Sequence, residues 1–191
     1  MDRDTELLEA LGDWAGFEIA GFERRAGEPE EIWITLRRKP GAQLYCGACD
    51  RPATRVHEEQ ERTVRDLPLF DARTYLRIQC CRVWCEQCGG AKRLRIEWLD
   101  EQQRVTRRLA DSIFKLCAHV AISHIAGFFG VHWHTVKRLD KRRLQAQFGV
   151  PDFSGVRVIG VDEFALHKGH RYATIVVEPS RRRVLWLGKG P

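Results

Sequence analysis

Apolar and polar residues alternate with a period of two along much of the first 85 positions, and the period lengthens near residue 106. "GFEIAGFERR" and "EIWITLRRK" flank the turn-like "AGEPEE", which predicts a β-hairpin over residues 16–39. "RTVRDLPLFDARTYLRIQ", residues 62–79, predicts short strands on either side of a loop from Pro68 to Asp71. Ahead of both, "TELLEALGDW" carries Leu7, Leu8 and Leu11 at helical spacing, so a short amphipathic helix is expected over 5–14. From Thr106 to Phe148 the spacing becomes helical. Leu109, Ile113, Leu116, Cys117 and Val120 recur at i, i+4, i+7, i+8 and i+11 on one face, and two more helices follow. "GVPDFSG", with Gly149, Pro151 and Gly155, reads as a linker. Three apolar runs follow, 156–161, 172–177 and 183–187, expected to form an antiparallel meander. The first run is almost wholly apolar, as a central strand covered on both faces would be, and Asp162 ends it.

Charge changes this picture by being local. Residues 1–31 hold ten Asp/Glu and three Lys/Arg, whereas residues 104–143 hold nine Lys/Arg, two Asp/Glu and four histidines. The basic block carries more positive charge than the whole chain, whose net charge is +6, and this suggests a polyanion met by one region. A solvated helical face is the plainer explanation. No apolar run approaches the roughly 18 residues of a membrane span, and the acidic N-terminus lacks the basic start and apolar core of a secretory signal. The expectation is therefore a cytoplasmic chain with no membrane partner.

Seven cysteines in a reducing compartment, an odd count, do not suggest a disulfide framework. Cys46 and Cys49 stand in "LYCGACDRP", and Cys85 and Cys88 in "VWCEQCGGAK". Two such turns supply four thiolates in a tetrahedron, the donor set of structural Zn²⁺. The strands read between them would bring the turns together as an inserted hairpin. A redox dithiol lacks its strand-helix context here. Cys80 and Cys81 are treated as strand residues, His57 as a surface histidine and Cys117 as a small core residue. A closed four-thiolate site has no open coordination position, so its expected work is folding and orientation.

"ISHIAGFFGVHWHTVKRLDKRRL" fits a helix-turn-helix. Counted from Ile122, apolar residues fall at positions four (Ile125), eight (Phe129), ten (Val131), fifteen (Val136) and eighteen (Leu139). Ala126 takes the fifth position, where two helices cross, and Gly130 the ninth, where the turn needs a positive φ. The helix after this turn would expose His132, Trp133, His134, Thr135, Lys137, Arg138, Lys141 and Arg142. The first of these would meet base edges and the later Lys/Arg phosphates.

The order of cysteine turns, helix-turn-helix and "GVDEFALHKGHRYATIVVE", together with "RTVRDLPL", "WLDEQQRVTRRLA" and "HWHTVKRLD", resembles the ISL-three family of insertion-sequence transposases. The resemblance implies a catalytic domain of ribonuclease-H-like fold with an Asp-Asp-Glu triad, whose first Asp matches Asp162 as a Mg²⁺ ligand. Two-metal catalysis needs several carboxylates around one phosphate. Neither Glu163, on the opposite face of the strand, nor Glu178, in another strand, supplies them. The family's second Asp and its Glu would lie beyond Pro191, so this chain is expected to be a truncated form, inactive in strand cleavage by itself.

The expected fold is thus α+β and multidomain. A hairpin and zinc-ribbon-like β domain spans 1–100, a helix-turn-helix domain 101–149, and the first strands of an incomplete ribonuclease-H-like meander 150–191. The expected function is binding of double-stranded DNA at the terminal inverted repeats of a mobile element, in a bacterial cytoplasm and on the nucleoid when bound, with homo-oligomers open. A zinc-ribbon and helix-turn-helix transcriptional regulator, and a non-catalytic repressor of transposition, remain as alternatives.

Overall fold

Among the described residues of the computed structural model, 12, 14–100, 104–149, 152–167 and 171–189, eight strands and three α-helices follow one another. Most of the helix expected over 5–14 lies outside the described residues. The chain divides into two compact units, 1–140 and 141–191.

The expected hairpin forms from β1 (Phe17–Arg25) and β2 (Glu31–Arg38), paired antiparallel. The second pair forms too, with longer strands than the pattern suggested: β3 (Arg55–Arg65) runs antiparallel to β4 (Arg73–Cys85). β4 organises the sheet. It pairs with β3 from Tyr75 to Trp84 on one edge, while the other edge pairs with β2 over Arg73 to Ile78 and then with β5 (Gly90–Arg93) over Arg82 to Cys85.

Burial along β4 changes face between these partners. Thr74, Leu76, Ile78 and Cys80 are buried, then Cys81, Val83 and Cys85. Because side chains alternate across a strand, the first set faces one layer and the second set the other. Just past the changeover, opposite Arg82 and Val83, β3 bulges between Val56 and Glu58, leaving His57 as its extra residue. The first set packs with Ile32, Ile34, Leu36 and Val64, a core that also includes Trp14 and Phe17.

A separate core belongs to the helices α1 (Arg107–Cys117), α2 (Ile122–Phe129) and α3 (Trp133–Phe148). The Thr106 hydroxyl caps α1 by accepting from the Leu109 amide at 3.3 Å. Leu109 and Ile113 are fully buried, as the spacing requires. Val120 is not on that face. The amides of His119 and Val120 both donate to the Leu116 carbonyl, so the chain has left the helix before the i+11 position, and Val120 is exposed.

In the second unit, β6 (Gly160–His167), β7 (Arg171–Glu178) and β8 (Arg183–Lys189) form the expected antiparallel meander in the order β6-β7-β8. A 3-10 turn, Pro179–Arg181, joins the last two. Among the described residues the first strand has a single neighbour. In a three-stranded meander the first strand pairs only with the next, so β6 lies at an edge, and it starts at Gly160 instead of Val156. Asp162 is accordingly the third residue of β6 and exposed, where the apolar run suggested a strand end.

Candidate metal centre and nucleic-acid interface

The two cysteine turns meet although 35 residues separate Cys49 from Cys85. β3 and β4 carry the chain out and back, and an isolated bridge from Cys46 to Leu94 ties the first turn to the end of β5. Gly47 is required there. Its amide donates to the Arg93 carbonyl at 2.8 Å, and a Cβ would stand 2.9 Å from that oxygen.

The four sulfurs of Cys46, Cys49, Cys85 and Cys88 all lie within 4.8 Å of one another. Cys46 Sγ is 3.9 Å from Cys88 Sγ, and Cys49 Sγ is 3.6 Å from Cys85 Sγ. A tetrahedron of sulfurs each about 2.3 Å from a central Zn²⁺ has edges of about 3.8 Å. The spacing and the four soft donors therefore fit Zn²⁺, and they are far too long for disulfides. Burial disfavours ionisation of Cys46, but the amides of Ala48 and Cys49 and the neighbouring sulfurs outweigh it and bring this thiol down to about 7. The Cys49 sulfur, followed by burial, pushes Cys88 up to about 12. A dication at the centre supplies the positive charge that lets all four ionise.

The remaining cysteines are different. Burial pushes Cys80 up to about 11 and raises Cys81; both are strand residues of β4, outside the sulfur cluster. Cys117 is half-buried, and its thiol is raised first by burial and then by Asp140. His57 is exposed on the bulge, its ring tilted against Trp84.

Between the sheet and the helices lies a junction that pattern reading did not find. Asp66, fully buried just past β3, accepts from the Thr106 hydroxyl at 2.6 Å, from Arg108 Nε at 2.7 Å and from the Leu67 amide at 2.8 Å. A second guanidinium nitrogen of Arg108 completes a bidentate pair. Beside it, Arg65 donates to the Phe129 carbonyl at 2.7 Å, satisfying the C-terminal end of α2, and to the Thr74 carbonyl at 3.1 Å. Its guanidinium lies over the Tyr75 ring, 4.5 Å from the centroid. One strand end thus holds the helix-turn-helix to the sheet that carries the cysteines. The only signal in the sequence was the charged pair Arg65-Asp66 within "RTVRDLPL", and a charged pair between apolar residues does not name its partners.

The helix-turn-helix has the expected geometry. Ile125, Ala126, Phe129, Val136 and Leu139 are buried, and Val131 packs against them. Gly130 adopts φ +59°. A Cβ there would also stand 2.5 Å from Arg73 Nε, so the turn excludes side chains twice over. On α3 and the turn before it, His132, Trp133, His134, Lys137 and Lys141 are exposed as expected, whereas Thr135, Arg138 and Arg142 are half-buried. Those three lie beside the apolar face of α3, and the Nε atoms of Arg138 and Arg142 are buried there. The rings of Trp133 and His134 stack with centroids 3.6 Å apart, and His132 stacks on His134 at 5.1 Å. Trp133 is 45% exposed, so it forms part of this outer surface instead of the core.

On β6, Asp162 sits opposite Ile175, which sits opposite Leu187 on β8, so these three share one face. Glu163 points to the other face and accepts from the Thr174 hydroxyl at 3.0 Å. Glu178 is buried and bound to Arg183 Nε at 2.6 Å, a structural ion pair. Among the described residues, the four cysteines form the only cluster of three or more metal-ligating side chains.

The family model described as the zinc-finger of transposase IS204/IS1001/IS1096/IS1165 matches residues 44–88, and that described as the helix-turn-helix domain of transposase family ISL3 matches residues 94–144. The chain is similar to the transposase for insertion sequence element IS1001 of Bordetella parapertussis, 46% identical over 190 residues, which cover 98% of this chain and 46% of that protein. It is more distantly similar to the transposase for insertion sequence element IS1557 of Mycobacterium tuberculosis, 24% identical over 91% of this chain and 39% of that one. The chain therefore spans less than half the length of these relatives. No solved structure matches it. Two domains of one family in the expected order, and one relative aligned along nearly the whole sequence, show that this chain belongs to the ISL3 family of insertion-sequence transposases.

Proposed function

We propose that this chain is the DNA-binding portion of an ISL3 transposase, which recognises the terminal inverted repeats of its own element in the bacterial cytoplasm. The observation that carries this reading is the outer face of α3. It presents the His132–Trp133–His134 stack at its start and Lys137 and Lys141 one and two turns later, on a helix whose inner face is buried through Val136 and Leu139. In a helix-turn-helix, the start of the second helix meets base edges and later cations meet phosphates. Arg138, Arg142 and Thr135 flank this face and serve as backbone contacts.

Residues 1–100 act as a zinc-ribbon-like domain, with Cys46, Cys49, Cys85 and Cys88 holding one structural Zn²⁺, and residues 101–149 as the DNA-binding domain. Zn²⁺ supplies a closed tetrahedral cross-link and no catalysis. Residues 150–191 are read as the opening strands of a ribonuclease-H-like domain. In support, the strands form an antiparallel meander with Asp162 on the first strand, sharing its face with Ile175 and Leu187. One exposed carboxylate does not make a Mg²⁺ site, and among the described residues Asp162 belongs to no cluster of three or more metal-ligating side chains. Strand cleavage and transfer are therefore assigned to the full-length relatives' architecture, with Asp162 as the residue that would contribute to it.

The test is binding of the purified chain to a duplex carrying one end of its element, followed by fluorescence anisotropy. His134→Ala should weaken discrimination between the element end and a scrambled duplex by about 1–3 kcal/mol. Lys137→Ala should weaken both about equally and lower the salt slope by about 1. Wild-type affinity and slope in both variants would remove α3 from the interface.

A further inference from the structure

A concavity on the zinc-bearing sheet lies outside both the cysteine cluster and α3. Its floor is Cys80, and its walls carry Arg62, Arg82, Lys92 and Arg93 with one carboxylate, Glu58. The strand registers explain the grouping. Glu58 pairs with Arg82, which pairs with Arg93, and Gln60 pairs with Cys80, so these five fall in adjacent cross-strand rows on one face, while Lys92, paired with Val83, joins the lining from the alternate position beside Arg93. Glu59 and Glu61 alternate to the opposite face, which leaves Glu58 as the one acidic residue of β3 lining the groove. Glu58 is engaged by Arg82 at 3.7 Å, and Arg82 also donates to the Ala91 carbonyl at 3.1 Å. Arg62, Lys92 and Arg93 have no ion-pair partner among the described residues. Like charges gathered in a concave wall focus a positive field on whatever enters.

We infer that this groove is a second phosphate-backbone contact, holding duplex DNA beside the segment read by α3. The inference rests on the DNA-binding reading above and extends the interface to another face of the molecule. Its dimensions suit a duplex. Arg62 lies three residues from Arg65 and Glu58 seven along β3, so at about 3.4 Å per residue the groove spans about 14 Å of strand. That length of B-DNA carries about four phosphates on each strand, enough to meet Arg62, Lys92 and Arg93, the cations that Glu58 does not engage. The sheet is held to the helix-turn-helix through Asp66 and Arg65, so both contacts belong to one body and can engage one duplex together. The groove's cations are assigned to phosphates alone. Its contribution is affinity and register, independent of sequence.

The test is the salt dependence of binding to a mixed-sequence duplex of about 40 base pairs, between about 50 and 200 mM salt. The full chain is compared with the triple variant Arg62→Gln, Lys92→Gln, Arg93→Gln and separately with the double variant Lys137→Ala, Lys141→Ala. The triple variant should lower the slope of log K against log salt by about 2–3, with one zinc per chain and an unchanged unfolding curve. Should the triple variant lose zinc, Lys92→Gln and Arg93→Gln singly replace it, each expected to lower the slope by about 1. A folded triple variant with the wild-type slope overturns the groove contact, and a lowered slope in the α3 double variant then leaves the DNA-binding reading standing. A wild-type chain that binds no duplex in a salt-dependent manner sinks both. A triple variant that loses affinity for poly-glutamate but keeps the wild-type DNA slope assigns the groove to an acidic protein and overturns the inference equally.

Discussion

The unit spanning 1–140 buries its apolar residues, and the unit spanning 141–191 largely does not. In the first, Ile34, Leu36, Leu76, Ile78, Leu109, Ile113 and Val136 are each at most 2% exposed. In the second, the buried apolar residues among those described are Ala173 and Leu185, while Val161 is 62% exposed, Leu187 59% and Trp186 49%. Both units are built from short apolar runs with strong strand character, and both form well-paired antiparallel strands. Hydrogen-bonded pairing therefore follows from local pattern, whereas burial requires a second layer. The first unit gathers one core along a five-stranded sheet that Trp14 and Leu99 also join from outside its strands, and a second core among three helices packing on one another. A three-stranded sheet has no layer of its own to offer.

The metal sharpens this contrast, because it serves only the first unit. Removing it should have the largest effect. Structural Zn²⁺ contributes on the order of 10 kcal/mol or more of apparent folding free energy in small zinc domains. Strong chelation, or Cys85→Ser, should therefore abolish stoichiometric zinc and expose the amides of residues 44–52 and 81–94 to hydrogen exchange. Exchange in Tyr172 to Val177 should stay as it was. Equal loss of protection in both units would mean that they unfold together, and no loss in either would mean that four thiols alone hold the turns.

Asp66 comes next in size, since it separates the contribution of the junction from that of the metal. Asp66→Ala removes the buried acceptor for the Thr106 hydroxyl and for the Arg108 guanidinium. Breaking a buried charge pair costs about 3–5 kcal/mol, and Arg108 retains 39% exposure, so a value near the lower end is expected from urea unfolding. Zinc stoichiometry should survive, because the cysteine turns lie at the far end of β3 and β4. DNA affinity should fall as the helices lose their anchorage. Unaltered urea stability would show that Asp66 is not what holds α1 to the sheet.

These regions also differ in how far their sequence could be read. The cysteine turns, Gly130 and the buried face of the helix-turn-helix were legible because each depends on spacing along one local segment. The hairpin β1–β2 and the pairs β3–β4 and β7–β8 were legible for the same reason. The parallel pairing of β2 with β4 was not, because the paired residues stand 42 positions apart and no turn residue announces it. The change of buried face at Cys80 and Cys81 follows from which neighbour β4 has at each point, so it too is invisible in the β4 sequence alone. For Val156 to Val161, composition pointed to a central strand and topology decided otherwise. An apolar run reports what a segment could bury, and the meander gives its first strand a single neighbour.

The smallest effect tests the contrast most directly, by making one substitution type in both units. Leu76 on β4 is fully buried and Leu187 on β8 is 59% exposed. Leu76→Ala should cost about 2–5 kcal/mol, the transfer free energy of the lost methyl groups plus that of the cavity left behind. Leu187→Ala removes a side chain that already faces solvent and creates no cavity, so its cost should stay within about 0.5 kcal/mol. Because Leu187 shares its face with Ile175 and Asp162, the same change also thins an exposed apolar strip, and self-association should fall while stability holds. Sedimentation velocity and urea unfolding of the same samples separate the two outcomes. A Leu187→Ala cost comparable to that of Leu76→Ala would show that the strip is covered in solution by another surface, and that the second unit does acquire its missing layer.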